Sequence, residues 1–90
     1  MIKSICDKRV ENIYKGEYVK KMDHGLQDII RRKLKYLNHA ATMDDLRVPP
    51  GNHFEKLTGR PEYSIRVNDK WRITFIWSDG VENVALEDYH

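Results

Sequence analysis

The stretch YSIRVNDKWRITFIWSDGVENVALEDYH, residues 63–90, decides the fold. Tyr63, Ile65 and Val67 alternate with Ser64 and Arg66, while Trp71, Ile73, Phe75 and Trp77 alternate with Arg72, Thr74 and Ile76. A period of two belongs to half-buried strands, so the stretch predicts two successive hairpins, three strands running to the last residue. Turn chemistry sets the register. Asp79-Gly80 is a two-residue hairpin signal, because glycine accepts the positive φ of a type I′ turn. It predicts Phe75 opposite Val84, Ile73 opposite Leu86 and Arg72 opposite Glu87. For the first hairpin, a three-residue loop of Asn68-Asp69-Lys70 pairs Val67 with Trp71 and Ile65 with Ile73, whereas a two-residue loop would mix the faces. The longer loop sets Arg66 directly across from Arg72. Like charges at that spacing cost stability, so this face is expected either to open to water or to receive an anion. Tyr89, two residues past Glu87, falls on the same face, beside a C-terminus that carries Asp88 and His90.

Upstream, Pro49-Pro50-Gly51 breaks regular structure, and His53 to Leu57 reads as a strand leading into the Thr58-Gly59-Arg60-Pro61 turn. Before the prolines lies the longest helix, from about Asp23 to Asn38. Asp23 is its N-cap candidate, and Leu26, Ile29, Ile30, Leu34, Leu37 and Ala41 trace one apolar stripe, with Arg31, Arg32 and Lys35 largely off it. A further helical turn is expected within Ala40 to Leu46. Asp7 caps a shorter helix, about Lys8 to Lys15, whose Val10, Ile13 and Tyr14 face inward and which Gly16 stops. Glu17 to Met22 is a polar connector, and Met1 to Ile5 alternates like a short strand. Tyr14, Tyr18 and Tyr36 are assigned to capping the core. Trp71 and Trp77 share parity with Ile73 and Phe75 and are assigned to packing. A strand, two helices and then strands in succession predict an α+β fold, with two N-terminal helices packed on one face of an antiparallel sheet.

Ninety residues suit one domain spanning 1–90, and two Trp, five Tyr and two Phe argue against disorder although 33% of residues are charged. No apolar run approaches the roughly 20 residues of a membrane span. The start, MIKSICDKR, lacks the apolar segment of a signal peptide, and the single cysteine, Cys6, cannot form an internal disulfide. A reducing cytoplasm is the simplest compartment. Net charge is +2, with ten basic and five acidic side chains in residues 1–39 against six and nine in residues 40–90. The basic half suits an anionic partner such as nucleic acid or the ribosome, and equally a solvated surface. His24 and His39 are too far apart for a zinc pair, and neither a Cys/His ligand spacing, a phosphate-cradling glycine loop nor a nucleophile elbow occurs. Neither metal nor cofactor is expected.

SIRVNDKWRITF and the C-terminal EDYH, preceded by PPGN and LTGR, resemble the HigB branch of the RelE/ParE toxins of bacterial type II toxin-antitoxin systems. The MIKS start, the two helices and the chain length extend the resemblance over nearly the whole chain. It implies two helices against a twisted antiparallel sheet, in the order β-α-α-β-β-β with room for one more strand. It also implies a cytoplasmic toxin that enters the A site of the 70S ribosome and cuts mRNA. The partner implied is a HigA-like helix-turn-helix antitoxin, through which alone the toxin would meet operator DNA.

Cutting RNA without a metal requires the 2′-OH to lose its proton, the phosphorane to be stabilised and the leaving 5′-oxygen to be protonated. The resemblance maps these tasks onto Arg72, Asp88, Tyr89 and His90. Arg72 would grip the phosphate, because guanidinium stays charged and offers a planar fork of donors. His90 is the natural acid or base, its ordinary pKa of about 6.5 lying near working pH. Tyr89 would donate a hydrogen bond, move a proton or stack on a base, and Asp88 would orient His90 or Arg72 or form a simple ion pair. One departure concerns Glu55, which stands where some relatives carry a histidine; the nearest histidine is His53. Either Glu55 takes over as base, or His53 reaches in, or activity is weaker. A glutamate facing phosphates needs a cation such as Lys56, Arg60 or Arg66. Arg31, Arg32, Lys33 and Lys35 fit rRNA and an acidic antitoxin surface equally well. By default Arg72 and Glu87 form a cross-strand ion pair of about 0.2–1 kcal/mol. Two other readings stand beside the nuclease: a ParE-like toxin that binds DNA gyrase, and a ribosome- or RNA-binding regulator without cleavage.

Overall fold

The computed structural model describes residues 1–88. Two helices, α1 (Lys8–Tyr14) and α2 (His24–His39), precede a sheet of β1 (Glu55–Lys56), β2 (Tyr63–Arg66), β3 (Trp71–Trp77) and β4 (Val81–Asp88). The strands lie in the order β1-β2-β3-β4, each antiparallel to its neighbour. The chain is therefore α+β, as the hydrophobic pattern predicts. No helix among the described residues is long and apolar enough to cross a membrane.

Both helices start where a carboxylate caps them. Asp7 accepts from the Arg9 amide at 3.0 Å and also from the Leu86 amide at 3.2 Å, so the cap of α1 is a tie to β4 as well. Asp23 accepts from the Leu26 amide at 2.9 Å. Ile30, Leu34 and Leu37 are fully buried along α2. Ala40, not Ala41, completes the stripe, because the helix ends at His39 and the chain leaves extended. A buried polar residue interrupts it: Gln27, fully enclosed, accepts from the Val19 amide at 2.7 Å and donates to the carbonyls of Val19 and Met22 at 2.9 and 2.8 Å. The α1–α2 connector is thereby stitched to α2. Val19 and Met22 make the connector's inward contacts, so Tyr18 does not cap the core. It is 50% exposed, stacked on His24 with ring centroids 4.1 Å apart.

The expected N-terminal strand is reduced to two isolated parallel bridges, Ile2 with Val81 and Ile5 with Val84, along the free edge of β4. The first hairpin has the predicted register, Ile65 opposite Ile73 and Arg66 opposite Arg72, closed by the Val67 amide on the Trp71 carbonyl at 3.0 Å. The second keeps Arg72 opposite Glu87 and Ile73 opposite Leu86, but its turn differs from expectation by one residue. Trp77 pairs with Val81 across a three-residue loop, Ser78-Asp79-Gly80. A bulge restores the alignment: between the Thr74–Ala85 and Ile76–Glu82 pairs, Phe75 faces two residues, and Asn83 among them has φ 54°. Asparagine tolerates that left-handed backbone better than most residues do.

The core lies between the helices and one face of the sheet. Val10, Ile13, Ile30, Leu34 and Leu37 meet Ile65, Ile73, Phe75, Val84 and Leu86 there, with Leu46 from a 3-10 turn, Met43–Arg47, closing one end. Val48, Pro49 and Pro50 run into a second short turn, Pro50–Asn52. Asn52 is buried, donates to the Leu46 carbonyl at 3.2 Å and accepts from the Lys33 ammonium, so the loop is fastened to α2.

Candidate active site

Residues directly opposite in a ladder share a face. Two rows therefore cross the side of the sheet away from the helices: Glu55–Ser64–Thr74–Ala85 and Arg66–Arg72–Glu87. Glu55, Arg66 and Arg72, singled out from the sequence, are brought to one surface. Asp88 follows Glu87 at the exposed end of β4, opposite Trp71. Tyr89 and His90 lie outside the described residues.

The centre of this face is closed rather than open. Ser64 and Thr74 are buried and Arg72 is only 9% exposed. Arg72 Nη1 donates to the carbonyls of Asn68 and Trp71 at 2.6 and 3.1 Å, which fixes its guanidinium against the β2–β3 loop. Arg66, directly across, pairs with Asp69 of that loop. The like-charge opposition is thus eased by separate partners for the two guanidinium groups. The default ion pair between Arg72 and Glu87 gives way to another: Arg60, from the β1–β2 loop, takes Glu87 in a two-pronged contact, Nη1 to Oε1 at 2.9 Å and Nη2 to Oε2 at 2.7 Å. Thr74 Oγ1 also donates to Glu87 at 2.8 Å. These bonds explain the direction of both acid-base shifts. Hydrogen bonding to Arg60 holds the Glu87 carboxyl below the ordinary carboxylate range, and hydrogen bonding to Glu87 raises Arg60 further.

Other expected residues lie elsewhere. Lys56 follows Glu55 and points to the opposite side, with its ammonium 5.8 Å from the Tyr63 ring centroid and bonded to the Arg60 carbonyl. His53 is exposed and left-handed, φ 45°, at the end of the Pro50–Asn52 turn. Arg31 is turned inward: Nε donates to the Ile13 carbonyl at 2.8 Å and Nη2 to the Glu17 carbonyl at 3.1 Å, so it closes the C-terminal end of α1 and the connector. Arg32 and Lys35 remain outward on α2 and line an open groove of about 600 Å³ with Tyr36, His39, Asp44 and Asp45. Those aspartates put acid beside the bases, so the groove is not a purely basic surface. Between this side and the sheet, Lys33 has its pKa lowered first by burial and then by Arg32 and Arg66.

Three contributions escaped the sequence reading. Thr74, on the parity of Arg72, was available as a partner for Glu87. Gln27 and Asn52 act through bonds to backbone carbonyls of the segments just before them, five to eight residues back for Gln27 and four to six for Asn52, and no periodic pattern marks them.

A model of the family described as "RelE-like toxin of type II toxin-antitoxin system HigB" matches residues 3–90. Toxin HigB-1 of Vibrio cholerae serotype O1 is 40% identical over 86 residues, covering 92% of this chain and 87% of the relative. An uncharacterized protein of Haemophilus influenzae is 32% identical over 77 residues, 83% of this chain and 76% of its own. With the two helices and four-stranded antiparallel sheet in place, the chain belongs to the HigB-like toxins, RelE-like members of type II toxin-antitoxin systems.

Proposed function

We propose that this toxin is a ribosome-dependent mRNA endoribonuclease, acting without a metal in the A site of the 70S ribosome and neutralised by a HigA-like helix-turn-helix antitoxin. Membership of a type II toxin family supplies the antitoxin partner in kind; the HigA-like class, the ribosome and the contact with operator DNA through the antitoxin belong to the proposal. The observation that carries the reading is the convergence of Arg66, Arg72 and Glu55 on one face of the sheet, with Arg72 nine-tenths buried and held by two carbonyls. A guanidinium that is itself largely buried and fixed in advance stabilises developing phosphorane charge at little reorganisation cost.

In the proposed reaction Glu55 takes the proton of the 2′-OH and the 2′-oxygen attacks the adjacent phosphorus. Arg72 holds the non-bridging oxygens, and His90 protonates the departing 5′-oxygen, leaving a 2′,3′-cyclic phosphate and a 5′-OH. Tyr89 donates to the phosphate, and Asp88 orients His90. Arg60 and Arg66 bind neighbouring phosphates, and Arg32 and Lys35 add contacts to rRNA. His53 and Lys56 stay at the margin, and Arg31 serves the fold. Mapping 5′-OH ends on mRNA incubated with programmed ribosomes tests the reading. Cuts that require both ribosomes and toxin are expected; growth arrest with uncut mRNA would reject it and leave gyrase or ribosome binding as the mode of action.

A further inference from the structure

Arg60 and Glu87 join the β1–β2 loop to β4 across the site face. Both Nη atoms of Arg60 end on Glu87, and its Nε ends on Glu62 at 3.2 Å, so three of its five N–H donors are spent on carboxylates. That two-pronged contact is one that guanidinium makes as readily with a phosphate. The two ends of the pair are unequally held. Glu87 lies on a strand and also accepts from the Thr74 hydroxyl of the neighbouring strand, whereas Arg60 sits on a loop. Their side chains are 43% and 35% exposed, so a solute reaches both.

We propose that Glu87 is a resident counter-ion that substrate phosphate replaces on Arg60. In the free protein its carboxylate fills the guanidinium fork that binds RNA, so Glu87 sets RNA affinity through Arg60 without touching the substrate. It is a positioning residue, absent from the roles assigned above. The inference rests on the RNA-cleaving reading only in taking RNA as the source of the phosphate.

The test is a double-mutant cycle on binding of a short 2′-O-methyl RNA, which cannot be cut, measured by fluorescence anisotropy at low salt. Wild type, Glu87→Gln, Arg60→Gln and the double variant are compared, each checked by its thermal melt. Glutamine still accepts from Thr74, which preserves the strand contact. Glu87→Gln is expected to tighten binding about fivefold to tenfold, and the same change in the Arg60→Gln background less than about twofold. Equal tightening in both backgrounds would show plain charge removal and overturn the proposal. Weaker binding by Glu87→Gln, or no measurable binding by any of the four proteins, overturns it as well. No cleavage is read, so the exchange can hold where ribosomal cutting is absent, and can fail where cutting occurs.

Discussion

Replacing Gln27 by leucine leaves its volume nearly unchanged and removes three hydrogen bonds, to the Val19 amide, the Val19 carbonyl and the Met22 carbonyl. Each such bond contributes about 0.5–1.5 kcal/mol, and a buried group left without a partner costs about 1–3 kcal/mol. Gln27 is fully enclosed, while Val19 and Met22 are half-buried, so water recovers part of the loss at the backbone. The expected net is about 2–3 kcal/mol, or roughly 8–24 °C in melting midpoint for a domain of this size. Urea unfolding followed by tryptophan fluorescence reads it directly. The slope should stay the same and the midpoint fall, because the core itself is untouched. A loss below about 0.5 kcal/mol would refute the reasoning, since the connector would then be held by other contacts.

Asn83→Val forces a β-branched side chain into the left-handed bulge position and should cost about 1–2 kcal/mol in urea unfolding, where Asn83→Gly should cost little. Acid should destabilise the protein through two carboxyls. Burial works against ionisation of Asp7, but hydrogen bonds from Arg9 and Leu86 outweigh it, while Arg60 lowers Glu87. Their stabilisation is fully present above their ordinary values of 3.8 and 4.5 and is lost as pH falls below them; melts between pH 6 and 3 should show a shallower decline in Asp7→Asn and Glu87→Gln than in wild type. Arg32→Glu with Lys35→Glu should weaken ribosome binding, with affinity in wild type falling as salt rises and the variant less salt-sensitive; identical salt slopes would remove these residues from the interface.

Helices and hairpins were legible because their signals are local. Asp7 and Asp23 announce helix starts, and the alternation from Tyr63 to Trp77 admits one register for the first hairpin that keeps Ile65 and Ile73 together. The second turn escaped by one residue because two irregularities offset each other: a longer loop after Trp77 and an extra residue at Asn83 return Ile73 to Leu86. Ladder parity brought Arg66, Arg72 and Glu87 to one face. It could not reveal that Arg60, from a loop outside every periodic segment, would take Glu87. Arg31 shows the same limit, since its guanidinium serves carbonyls 18 and 14 residues away in sequence. Side chains that bond to distant backbone have no period to read.

The most direct measurement is the rate of mRNA cleavage on programmed ribosomes by wild type, Arg72→Ala and Arg72→Lys, with melting curves confirming that each variant folds. Wild type should cut only when ribosomes are present. Arg72→Ala should fall by about 100-fold or more, as expected when a fixed donor to developing charge is removed, and Arg72→Lys should recover only part of the rate. A folded Arg72→Ala protein that cuts at the wild-type rate would contradict the account.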